Sequence, residues 1–135
     1  ITVLKFMNKI LVEVSIGELL DKLSILEIKK NKIKSHEHLN QINKEYDILK
    51  TEYDNKVFKD ELLNTLYKEL KEINSKLWVI EDEKRLCEKN SNFDDQFIKL
   101  SRDVHFLNDQ RAKIKFQINE HTNSNIKEIK QYTSY

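Results

Sequence analysis

Across 135 residues the chain holds no proline and a single glycine, Gly17. Those two residue types end helices and supply the tight turns that join strands. A chain almost without them cannot build a sheet-rich fold, but it can build long helices. Charged residues make up 35% and apolar residues 39%, a split that suits helices burying one face each.

Apolar spacing predicts four helices, over about residues 16–34, 37–55, 60–89 and 95–121. "SIGE" sets Ser15 three residues before Glu18, the capping-box spacing that opens the first helix. Breaks fall at His36–His38, at Asn55–Lys59 with Asp60 placed to cap, and at "KNSNFDD". Short links imply antiparallel neighbours, so the expected fold is all-α: two antiparallel helical hairpins forming a four-helix, coiled-coil-like bundle. Only "KILVEVS", residues 9–15, reads as a strand, with the tail "NSNIKEIKQYTSY" as its candidate partner. Met7 is a natural start. Residues 1–6 then read as an upstream or added segment, and 7–135 as one helical domain.

Balance of charge excludes broad classes. With 24 basic and 23 acidic residues the net charge is +1, without the basic surplus of a general nucleic-acid binder. No apolar run reaches the ~18 residues of a membrane span. The opening "ITVLKFMNKILVEV" is broken by Lys5, Asn8, Lys9 and Glu13 and lacks a small-residue cleavage site, so it does not read as a signal peptide. One cysteine, Cys87, excludes an internal disulfide. The expectation is a cytoplasmic protein with no cofactor, no metal, no membrane association and no nucleic-acid partner.

Only three residues are arginine: Arg85, Arg102 and Arg111. Placing residues at 100° steps sets Arg111 at the centre of the fourth helix's apolar stripe (Phe97, Leu100, Val104, Leu107, Ile114, Ile118). On the first helix Glu27 falls between Leu20 and Leu23. A lone buried charge costs several kcal/mol, so Glu27 and Arg111 are expected to meet. Glu81 is the rival partner, but hairpin geometry sets it about two turns, ~10 Å, from the arginine. Asn74 and Asn108 fall near enough to take remaining donors. The cluster Glu27, Asn74, Asn108 and Arg111 is then either a buried pair fixing helix register or the lining of a small-anion site.

Other candidates carry bland readings beside sharp ones. Ser15 and Gly17 open a helix whose free amides suit a phosphate, or simply form a cap. "KKNKIK", residues 29–34, complements a helix C-terminus. "IEDE", residues 80–83, fans its carboxylates around the helix, as a solvated face does. His36 and His38 lack a second pair for a metal. Lys84, on an inward stripe near a helix end, can snorkel, and Cys87 on a core stripe is expected to be inert. No nucleophile–base arrangement is legible. Surplus apolar residues off the main stripes, namely Ile25, Ile28, Tyr67, Trp78, Phe106 and Phe116, suggest a dimer or partner face.

Three stretches, "MNKILVEVSIGELLDKLSILEIK" from Met7, "LWVIEDE" from Leu77 and "NDQRAKIKFQIN" from Asn108, together resemble a family of small helical proteins of uncharacterised function, found in bacteria and in phages of marine bacteria. Some bacterial members are encoded near surface-polysaccharide genes. Glu18, Asp21, Lys22, Glu27, Trp78, Glu81, Asp82, Asn108, Asp109 and Arg111 match the family's pattern. The resemblance implies a helical fold and brings no activity and no residue roles. Two functions follow as expectations: a homodimeric helical interaction or scaffold protein, or a small-anion-binding protein or enzyme with a polar pocket around Arg111.

Overall fold

A computed structural model describes residues 8–135; the segment 1–6 lies outside the described residues. Four helices follow in order: α1 (Ile16–Lys32), α2 (His36–Lys56), α3 (Glu61–Lys89) and α4 (Asp95–Thr122). No strand occurs among the described residues, and the fold is all-α.

Each helix starts where a short polar side chain offers an acceptor. Ser15, Ser35, Asp60 and Asp94 each accept from one first-turn amide of α1, α2, α3 and α4, those of Glu18, His38, Leu63 and Gln96, offsetting donors that have no partner inside the helix. The scarcity of glycine is met at two turns by other residues: Ser91, after α3, and Asn123, after α4, both hold left-handed backbone. Asparagine tolerates that conformation well and serine less so.

α1 is the hub, in contact with α2, α3 and α4, and α3 packs extensively on α4. Asp60 at the start of α3 meets His121 near the end of α4 at 2.8 Å, opposite the turn at residues 90–94. α2 runs against α1, and its last turn feeds Tyr53, followed by Val57, into the main core. That core gathers Leu19, Leu20 and Leu23 of α1, Leu63 to Leu77 of α3, and Ile114 and Ile118 of α4. Towards the turn it thins. Past Leu77 on α3 and before Val104 on α4, the buried apolar residues are Cys87 and Leu100.

The stretch expected to form a strand does not. Residues 9–15 carry no ladder, and Ile10, Leu11 and Val12 are 88%, 83% and 75% exposed. The tail turns off α4 through Asn123, and the Ser124 hydroxyl accepts from the Ile16 amide at 3.0 Å. That bond holds the tail at the tip of α1, not alongside residues 9–14. A side-chain hydrogen bond does join the two segments, Asn125 Nδ2 donating to Glu13 Oε2 at 2.6 Å.

Candidate functional site

Where α1, α3 and α4 converge, the core is polar. Asp21 and Ser24 of α1 are 1% and 0% exposed, and Asn74 of α3 and Lys115 and Asn119 of α4 are buried with them. Arg111 reaches in from α4 and grips Asp21 with both arms of its fork, Nε to Oδ1 at 2.9 Å and Nη2 to Oδ2 at 2.5 Å. Asn74 Nδ2 donates to the same Oδ1 and to the Ser24 hydroxyl, each at 2.8 Å. Lys115 lies 3.7 Å from Asp21 Oδ2 and donates to Glu18 at 2.6 Å. A single carboxylate therefore ties three helices together.

Burial alone would push the Asp21 carboxyl up, since a buried charge loses its hydration. Bonds from Arg111 and Asn74, with the Lys115 charge, outweigh burial and hold it below the ordinary aspartate range. Burial would likewise lower Lys115, but its bond to Glu18 and the charges of Asp21, Glu18 and Glu128 raise it. Both groups stay ionised at neutral pH and each answers the other. Chemically the arrangement is closed: Asp21 has both oxygens engaged, and the arginine fork is already filled by a carboxylate.

Gly17 explains how α4 comes so close. A Cβ at this position would stand 2.6 Å from the Lys115 carbonyl oxygen and 2.9 Å from Asn119 Oδ1. Without one, the Gly17 amide donates to Asn119 Oδ1 at 2.7 Å. With Ser124 on Ile16 and Ser15 on Glu18, the first three amides of α1 are all taken. The phosphate reading of Ser15 and Gly17 is corrected on this ground, because side chains already hold the amides an anion would need.

The expected meeting of Glu27 and Arg111 is also corrected. Glu27 turns to Lys71 of α3 at 2.8 Å and accepts from the Tyr46 hydroxyl of α2 at 3.3 Å. Burial pushes its carboxyl up, and the Lys71 bond first among several brings it below the ordinary value. Asn74 does enter the arginine's cluster, through Asp21. Asn108 is exposed and stands 3.5 Å from Arg111 Nη1. Glu81 pairs with Arg85 on the surface at 2.8 Å. The third arginine, Arg102, lies over the Phe106 ring.

Residues expected on a dimer or partner face divide. Ile28 is buried within the chain, because α1 is covered on several sides and its second apolar face is spent on neighbours. Ile25, Tyr67 and Trp78 are half-buried, and Tyr67 packs against the main core. The Tyr67 hydroxyl is buried without a hydrogen-bond partner, and burial together with the Glu27 carboxylate pushes its pKa up. Phe106 and Phe116 remain 39% and 40% exposed.

Phe106 belongs to a second feature. A groove of about 630 Å³ runs between α3 and α4 on the turn side of the polar cluster. Val79, Ile80, Phe106 and Leu107 floor it, and Lys76, Glu83, Asp103 and Gln110 stand along it. Among the described residues no three His, Cys, Asp or Glu side chains gather closely enough to hold a metal ion, and no helix is long and apolar enough to cross a membrane. Cys87 is buried and unpaired.

Residues 10–135 match DUF6165, a family of unknown function, and the chain belongs to that family. Comparison with curated proteins and with solved structures finds no match.

Proposed function

We propose that this member of DUF6165 is a non-enzymatic helical interaction protein, built as two helical hairpins and acting as a homodimer. The observation that carries the reading is the α3/α4 groove, an apolar trough left open while the polar cluster nearby is internally satisfied. Of the apolar residues that line it, Val79 and Phe106 are 47% and 39% exposed. Clustered exposure of large apolar side chains marks a surface meant to be covered. A cytoplasmic setting goes with this reading, supported by a lone unpaired thiol. Sedimentation of the full chain tests it. The expected result is a dimer that Phe106→Asp dissociates while the helical circular dichroism is kept. A chain that stays monomeric up to submillimolar concentration removes the reading.

A second reading, small-anion binding, has one observation in its favour. A cavity of about 330 Å³ between α4 and the tail is lined by Lys113, Lys115, Lys130 and Phe116, and tail Glu128 stands 3.5 Å from the Lys115 ammonium. An anion there would take the place of that carboxylate. Titration with inorganic phosphate, followed by amide chemical shifts, separates the readings. Saturable shifts confined to these residues favour anion binding, and their absence leaves interaction alone.

A further inference from the structure

The α3/α4 groove does more than expose apolar area: its two walls are chemically matched to themselves. On α3, Val79 and Ile80 form the middle of the wall, with Lys76 one turn before and Glu83 one turn after. On α4, Phe106 and Leu107 form the middle, with Asp103 before and Gln110 after. Positions symmetric about a centre are expected of any one-sided helical stripe. The chemistry at those positions is particular to this chain. A two-fold axis crossing the groove between residues 79 and 80 of α3 and between 106 and 107 of α4 lays each helix antiparallel on its own copy.

Under that operation Lys76 faces Glu83 of the second copy, and Glu83 faces its Lys76. Val79 meets Ile80, Phe106 meets Leu107, and Asp103 meets Gln110, a carboxylate against an amide donor. Neither Lys76 nor Glu83 has an ion-pair partner within its own chain among the described residues, although eight lysines do. They stand ~5 Å to either side of the axis along the helix, so each is offered an opposite charge only when a second copy is present. Self-complementarity of this kind is what an isologous two-fold interface requires.

We infer that the groove is the dimer interface, occupied by the same groove of a second copy, with two reciprocal Lys76–Glu83 pairs setting the register of α3 on α3. The inference rests on the homodimer reading and deepens it. Its mechanism is apolar burial for affinity and charge for alignment, since rim charges select register and partner more than they add raw affinity.

Charge reversal and rescue provide the test, with dimer dissociation constants measured by sedimentation on the full chain. Lys76→Glu and Glu83→Lys are each expected to weaken the dimer about tenfold by setting like charges face to face. The double variant, Lys76→Glu with Glu83→Lys, restores both pairs with exchanged signs and is expected to return close to the wild-type constant. Circular dichroism melts of the single variants control for folding. A wild-type dimer that both single variants leave unchanged, or a double variant as weak as the sum of the singles, overturns the register while the homodimer stands. A wild-type chain that is monomeric throughout overturns both.

Discussion

The α3/α4 pair is finished in two different ways at its two ends. At the end nearer α1, a buried carboxylate collects an arginine, an asparagine and a lysine, and helices approach to within backbone contact at Gly17. Towards the turn, Val79 and Phe106 face outward along a groove, and Leu86 and Ile98 are exposed beyond it. One end is polar and sealed; the other is apolar and open. The contrast separates two tasks. Buried ion pairs contribute little net stability but penalise every arrangement that leaves a charge unpaired, so the sealed end defines how the helices align. The open end keeps surface that only association can cover.

Breaking the sealed end should have the largest effect. Arg111→Ala leaves Asp21 buried without its two bonds from the guanidinium, with Asn74 and Lys115 remaining, and Asp21→Ala strands the arginine and Asn74. Each is expected to cost about 3–5 kcal/mol in urea unfolding. Melts of both variants indistinguishable from wild type would erase the distinction between the two ends.

Gly17→Ala comes next. Its methyl group must push against the Lys115 carbonyl, which is backbone and cannot swing aside, so α1 moves off α4 and the Asn119 bond lengthens. About 1–3 kcal/mol is expected, as for other overpacked sites, read as a lowered urea midpoint. An unchanged midpoint would mean that the helices part without cost.

Acid sharpens the same contrast. Asp21 has a folded pKa below its unfolded value of ~3.9. Its contribution is therefore complete above about pH 4 and is lost as pH falls through the lower folded value. Unfolding free energy measured from pH 6 down to pH 2 should fall, and Asp21→Asn should flatten the lowest part of that curve. Glu27, also lowered, adds loss of the same sign.

The smallest effect on stability belongs to the open end. Val79→Ser, at a half-exposed position, should move the unfolding free energy of the monomer by no more than about 0.5 kcal/mol. A shift as large as that of Gly17→Ala would place Val79 in the core of the single chain.

The class of fold was legible because it depends on what the chain lacks: without proline and with one glycine, helices were the remaining solution. The existence of a buried arginine pair was legible for a similar reason, since Arg111 stood on an apolar stripe. Its partner was not. A wheel drawn for one apolar stripe sets Asp21 roughly 100° from Leu20, on a side treated as outward. Because α1 is covered by three helices, its buried arc extends to that side. The signal that was available is Gly17, Asp21, Ser24 and Ile28, spaced by four, three and four, a second seam made mainly of small and polar residues. Such a seam marks close helix approach, and searching for apolar residues alone passes over it. Lys115 and Asn119 answer it from α4, four and eight residues after Arg111. "KILVEVS" failed differently. Its strand composition is real, but composition supplies no partner strand, and the tail expected to pair with it caps α1 instead.

The amides at the beginning of α1 are satisfied by Asn119 and Ser124, more than a hundred residues downstream. A growing polypeptide cannot supply those groups until nearly all of the described segment has left the ribosome. Until then the Ile16 and Gly17 amides lack these acceptors and Asp21 lacks Arg111. The packing of the first helix is therefore completed only when the final helix docks against it.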